Sequence, residues 1–138
     1  MNLRPDFHQQ FSHPLMIEAV RRGVGDDYRF MIDANHAYTT HDAFYMGRAM
    51  EEFDPYWFEE PVAPEDLDGY RELRQGLRVN ISGGEAEFNR WGWRALLESR
   101  GLDIAQPEVC ALGGISEYLR VLALCHAHFT PVVNHVWG

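Results

Sequence analysis

Phe30-Met31-Ile32-Asp33, Tyr56-Trp57-Phe58-Glu59 and Ile81-Ser82-Gly83-Gly84-Glu85 are three short runs that each end in an acidic residue, and those residues fall 26 positions apart. Each run is apolar or small and of strand length, and each is followed by a stretch with helical patterning. A strand–helix unit that repeats builds a parallel sheet with right-handed crossovers, so the ends of successive strands meet at one rim. Asp33, Glu59 and Glu85 then stand side by side there. Like charges so placed repel unless a cation neutralises them, and carboxylate oxygens are the donors a hard divalent ion prefers. A metal site is the first hypothesis. A single carboxylate after a strand is more often a helix cap or a solvated loop residue, but three in matching contexts are poorly explained that way.

Outward from these runs the same alternation continues. Leu15 to Arg22 reads as a short amphipathic helix stopped by Gly23 and Gly25. Thr39-x-x-Asp42 opens a helix that Asp54-Pro55 ends. Glu65 to Gln75 is helical up to Gly76, and Arg90 to Ser99 up to Gly101. Asp103 to Gln106 makes a fourth strand, Ile115 to His128 a helix with Leu119, Val121, Leu122 and Ala123 on its core side, and Pro131 to Asn134 a fifth strand. Phe44, Tyr45 and Tyr56 read as core-facing. Met1 to Pro14 is polar, without periodicity, and reads as an irregular leader. The expected fold class is α/β, with about five parallel strands and helices outside them.

Composition narrows the function classes. At 138 residues and 46% hydrophobic, the chain has material for one core. Its net charge of −9 offers no basic stripe for phosphates, so nucleic acid is excluded as a partner. No apolar run approaches membrane length, and no apolar leader marks secretion, so a cytoplasmic chain is expected. Cys110 and Cys125 lack the spacing of a zinc knuckle or redox pair. All twelve basic residues are arginine.

Five motifs in order, Asp33-Ala34-Asn35, Trp57-Phe58-Glu59-Glu60-Pro61, Gly83-Gly84-Glu85, Gln106-Pro107-Glu108 with Gly113-Gly114, and Asn134-His135, resemble the enolase superfamily, mandelate racemase and muconate lactonizing enzyme subgroup. The wording around Glu59, Glu85 and His135-Val136-Trp137-Gly138 is most similar to its acid-sugar dehydratase branch. The likeness spans Leu15 to Gly138 and implies a partial TIM-type (β/α) barrel over residues 15–138, strands three to seven of the family barrel. It implies Mg²⁺ on Asp33, Glu59 and Glu85, and proton abstraction next to a carboxylate by His135 with Glu108 orienting the ring. Asn35, Arg90 and Trp137 are implied contacts to a sugar acid or hydroxy acid. Glu60 is expected to serve as a structural ion-pair partner, and His36, beside Asn35, is the remaining histidine with a position suited to acid chemistry.

The chain departs from the family pattern in three ways. Members carry a lysine pair on barrel strand two, and this sequence has no lysine, so two-base racemisation is disfavoured. Glu108 stands where aspartate is usual, and its extra methylene is expected to displace the carboxylate. The capping domain and barrel strands one, two and eight are missing from the resemblance, so an open sector with little activity alone is expected, completed by a homo-oligomer or a separate barrel segment. The alternative expectation is a non-catalytic remnant of such an enzyme.

Overall fold

The three runs that end in acidic residues are parallel strands in the computed structural model, which describes residues 7–136, with side chains described from Pro14 onward. Strand β1 covers Ile32–Asp33, β2 Trp57–Glu59, β3 Asn80–Gly83 and β4 Ile104–Ala105, in the order β1-β2-β3-β4. The helices are α1 (Phe7–Val24), α2 (Thr40–Met50), α3 (Leu67–Gly76), α4 (Arg90–Ser99) and α5 (Ile115–Ala127), with a 3₁₀ turn at Glu51–Phe53. This is the α/β alternation of a barrel sector.

Local chemistry sets the helix starts. Thr39 Oγ1 accepts the Asp42 N–H at 3.2 Å, Asp66 Oδ1 the Gly69 N–H at 2.9 Å, and Asn89 Oδ1 the Trp91 N–H at 2.9 Å, so each of these helices has a side-chain cap on an otherwise orphaned donor. The core lies between sheet and helices. Phe58 and Ile81 meet Ala43 and Met46 of α2, Tyr70 and Leu73 of α3, Trp93 and Leu96 of α4, and Val121 and Cys125 of α5. Each large apolar side chain so buried contributes about 1.5–3 kcal/mol.

Four expectations are corrected. The segment 131–136 joins β4 only through isolated parallel bridges, Ala105↔Val132 and Glu108↔His135, so it is not a full fifth strand. Pro107 is the reason: Val133 N–H reaches Ala105 O at 3.0 Å and His135 N–H reaches Pro107 O at 3.2 Å, but proline has no N–H to complete the ladder between them. Residues 7–14, expected as part of an irregular leader, are helical instead, because α1 begins at Phe7 and continues through Pro14. A proline inside a helix removes one hydrogen bond without forbidding the turns on either side; Met1 to Asp6 lie outside the described residues. On α5, Val121 and Cys125 are buried while Leu119 is 58% exposed and Ala123 is also exposed. Leu119 lies one turn from Ile115, itself 71% exposed, on a flank against which no described helix packs. Tyr45 and Tyr56 are exposed rather than core-facing, whereas Phe44 is half-buried against the core.

Candidate active site

Register brings the acidic residues to one rim. Asp33 is the parallel partner of Glu59, Glu59 of Ser82, and Gly83 of Ala105; beyond these, Glu108 is bridged to His135. Glu85 follows Ser82 across the Gly83-Gly84 turn. Gly84 has a φ of 112°, and a side chain there would run into the buried Trp93 ring, so glycine is what lets Glu85 reach the rim.

Each carboxylate has its own partner. Asp33 Oδ1 accepts the Asn35 backbone N–H at 2.8 Å, Glu59 Oε2 accepts the Trp57 indole N–H at 2.8 Å, and Glu85 Oε2 lies 2.7 Å from His135 Nε2. Among the described residues no three of His, Cys, Asp and Glu are gathered tightly enough to hold an ion as they stand. Their fields nevertheless overlap. The Glu85 carboxyl is raised above its ordinary value, first by burial and then by Glu59 and Asp33, against the opposing pull of His135 and His36. A set of three oxygen donors on adjacent strand ends, repelling one another, fits a hard divalent cation in chemistry and in order. Asp33, Glu59 and Glu85 are the residues that would hold it.

Beside them sits a histidine–carboxylate pair. His135 Nδ1 is 3.0 Å from Glu108 Oε2, and the other Glu108 oxygen accepts the Cys110 N–H at 2.9 Å. Glu108 is buried. The longer side chain meets the ring at hydrogen-bond distance. With Nδ1 turned to Glu108, Nε2 is the nitrogen that faces the rim, and the Glu85 oxygen lies against it. Next to His135, Asn134 Oδ1 accepts the Tyr118 hydroxyl.

A second such pair lies across the rim. His36 Nε2 is 2.8 Å from Glu60 Oε2, and Glu60 is 1% exposed. Burial, then Glu85, Asp33 and Glu59, push the Glu60 carboxyl up to about 8. The ion-pair role expected of Glu60 needs a charged carboxylate, and burial among like charges works against that charge.

Of the implied substrate contacts, Asn35 is at the rim, exposed, and joined to Asp33 through its N–H. Arg90 has its Nε and Nη2 each 2.8 Å from the Glu117 carboxylate, so its fork ties α4 to α5. Trp137 lies outside the described residues. Sequence reasoning missed Trp57, although residues two apart on a strand share a face, which was the signal that pairs it with Glu59. A groove of 540 Å³, lined in part by Arg21, Tyr28, Tyr56 and Arg78, opens at the opposite end of the strands and includes none of the rim carboxylates.

Known proteins resemble this chain in sequence and in fold. The chain is 43% identical over 123 residues to D-galactarolactone cycloisomerase of Agrobacterium fabrum, covering 89% of this chain and 32% of that protein. The crystal structure of 3,6-anhydro-D-galactonate cycloisomerase from Zobellia galactanivorans matches with a TM-score of 0.91 and 43% identity, covering 94% of this chain and 37% of that one. L-Talarate dehydratase from Polaromonas sp. JS666, solved with Mg and L-glucarate, matches with a TM-score of 0.90 and 27% identity over 97% of this chain and 37% of that one. The chain thus spans about a third of the length of these relatives. Residues 10–138 match one family model, nearly the whole chain, and the chain belongs to the Enolase C-terminal domain-like family.

Proposed function

We propose that this chain carries the strand-three to strand-seven portion of a Mg²⁺-dependent acid-sugar dehydratase or cycloisomerase site, and that its chemistry begins with removal of a proton α to a substrate carboxylate. The observation that carries the reading is the His135–Glu108 pair at 3.0 Å beside three rim carboxylates. A proton next to a carboxylate is very weakly acidic, so its removal needs both a positioned base and compensation for the charge left behind. Asp33, Glu59 and Glu85 would hold the ion, and the chemistry it supplies is positive charge against the substrate carboxylate.

The chain's own residues do the rest. Glu108 fixes the ring through Nδ1–H and stabilises the positive charge the ring gains when Nε2 takes the α-proton. That proton then passes from Nε2 to the departing β-oxygen as the β C–O bond breaks, the hydroxyl leaving as water in dehydration or the ring oxygen remaining attached as a hydroxyl in cycloisomerisation, and the enol that is left becomes the keto acid. For Nε2 to receive the α-proton, Glu85 must turn from the imidazole, and this is the same motion that would bring its oxygens toward Asp33 and Glu59. The relatives' sugar-acid chemistry supports a hydroxylated carboxylic acid as the substrate class.

The test is exchange of α-protons from a panel of sugar acids in D₂O with Mg²⁺, on this chain and on His135→Asn. Exchange that falls by about 10²- to 10⁴-fold in the variant is the expected outcome. Mg²⁺ binding with no exchange from any acid assigns the chain to the non-catalytic reading, and exchange indifferent to His135 removes the base assignment.

A further inference from the structure

The turn after β1 carries an unusual concentration of backbone cost. Asn35 and His36 are consecutive non-glycine residues in the left-handed region, with φ of 45° and 62°, and Glu60, against which they rest, has a φ of 41°. Such residues cost about 1–3 kcal/mol each and persist only where the surroundings hold them. Main-chain bonds supply part of the hold: Ala34 N–H to Glu59 O at 2.9 Å, His36 N–H to Glu60 O at 2.7 Å, and Tyr38 N–H to Pro61 O at 3.2 Å. Among the side chains across this seam, the Tyr38 ring meets that of Phe58 and the His36 imidazole lies against the Glu60 carboxyl. A polar acid is expensive where Glu60 lies, 1% exposed, and an apolar residue would fill the space more cheaply. Room for it exists because Gly83 has no side chain; a Cβ there would come within 3.3 Å of Glu60 Cγ. Core packing alone does not account for an acid at this place.

We infer that the His36–Glu60 contact is a strut that holds the Asp33–His36 turn in its left-handed form and thereby aims the Asp33 carboxylate for cation binding. His36 and Glu60 are positioning residues, acting through Asp33. The inference rests on the metal site proposed above. Without the strut, Asn35 and His36 relax toward ordinary backbone, the Asn35 N–H leaves Asp33 Oδ1, and the carboxylate loses its fixed direction.

The test is calorimetric titration of the full chain with Mg²⁺ alone, alongside thermal unfolding and the amide resonance of Asn35. His36→Phe keeps the ring volume and removes the nitrogen; His36→Gln restores an amide that can reach Glu60. The expected result is Mg²⁺ affinity lower by about 10- to 100-fold in His36→Phe, a shifted Asn35 amide, and recovery of most of the affinity in His36→Gln. Wild-type affinity in His36→Phe overturns the strut, as does loss of affinity that His36→Gln does not recover. Absence of Mg²⁺ binding by the wild-type chain instead overturns the metal site on which the strut depends, and the two failures are told apart by that first titration.

Discussion

Glu108 Oε2 stands 3.0 Å from His135 Nδ1, and the same two residues are bridged through the backbone. Main chain and side chain thus fix the imidazole together, and the longer acid spans the gap that this strand spacing leaves. Glu108→Asp withdraws the carboxylate by about 1 Å, a misplacement that costs about a hundredfold in rate when it concerns an oriented base. The expected outcome is kcat for α-proton exchange down by that factor with KM unchanged, read by NMR in D₂O. Unchanged or faster exchange in the aspartate variant would show that Glu108 does not orient the ring.

Arg90 and Glu117 hold α4 to α5, and that clamp responds to acid. Hydrogen bonds from the Arg90 side chain and backbone lower the Glu117 carboxyl to about 2, from an ordinary value of 4.5. A carboxyl lowered on folding adds stability above its unfolded value and loses it as pH falls through the folded one. Glu117→Gln is therefore expected to unfold at lower urea than wild type at pH 7, with the gap narrowing between pH 4.5 and about 2. Parallel urea curves at pH 7, 4 and 2.5 check it. A gap that persists undiminished at the lowest pH would point to packing and not charge as the source.

The contrast between these two pairs shows what was legible in the sequence. Strand ends, helix caps and the acidic interval follow from local turn chemistry, and Thr39, Asn89, Gly83 and Gly84 sit where that chemistry demands. Glu108 and His135 were paired in advance by the family resemblance, one strand–helix unit apart, and the bridge between them puts the two side by side. The Arg90–Glu117 pair was not legible, because the partner is 27 residues away on the next helix and only the packing of α5 on α4 brings the two together. Leu119 was misplaced for a related reason: an apolar position on a helix identifies a face, but only neighbouring helices determine whether that face is covered. Pro107 was visible, yet its effect depended on which donor the adjoining segment lacked.

Gly84 has a second consequence. It is buried, its φ of 112° disfavours any side chain, and a Cβ would overlap the fully buried Trp93 ring. Overpacking of this kind costs about 1–3 kcal/mol, and the backbone strain adds to it. Gly84→Ala is expected to lower the thermal midpoint and weaken Mg²⁺ affinity together, since relief of the overlap moves the neighbouring Glu85. A stable variant with wild-type unfolding would mean that Trp93 can give way without loss.

Trp57 offers an optical readout of the same rim. Its indole N–H donates to Glu59 Oε2 at 2.8 Å, which leaves the other oxygen of that carboxylate to face a cation. Partners that orient a ligand carboxylate typically matter by about 10- to 100-fold in metal affinity. Trp57→Phe retains most of the buried ring and removes the donor, so Mg²⁺ affinity is expected to fall by about tenfold, with thermal stability less affected than by Gly84→Ala. In the wild-type chain, Mg²⁺ should also change tryptophan fluorescence by altering the charge held against the indole, and Trp57→Phe should lose that part of the signal. Full affinity in the phenylalanine variant would show that Glu59 needs no help from Trp57 to present its oxygen. The strand would then determine the carboxylate's direction without the indole.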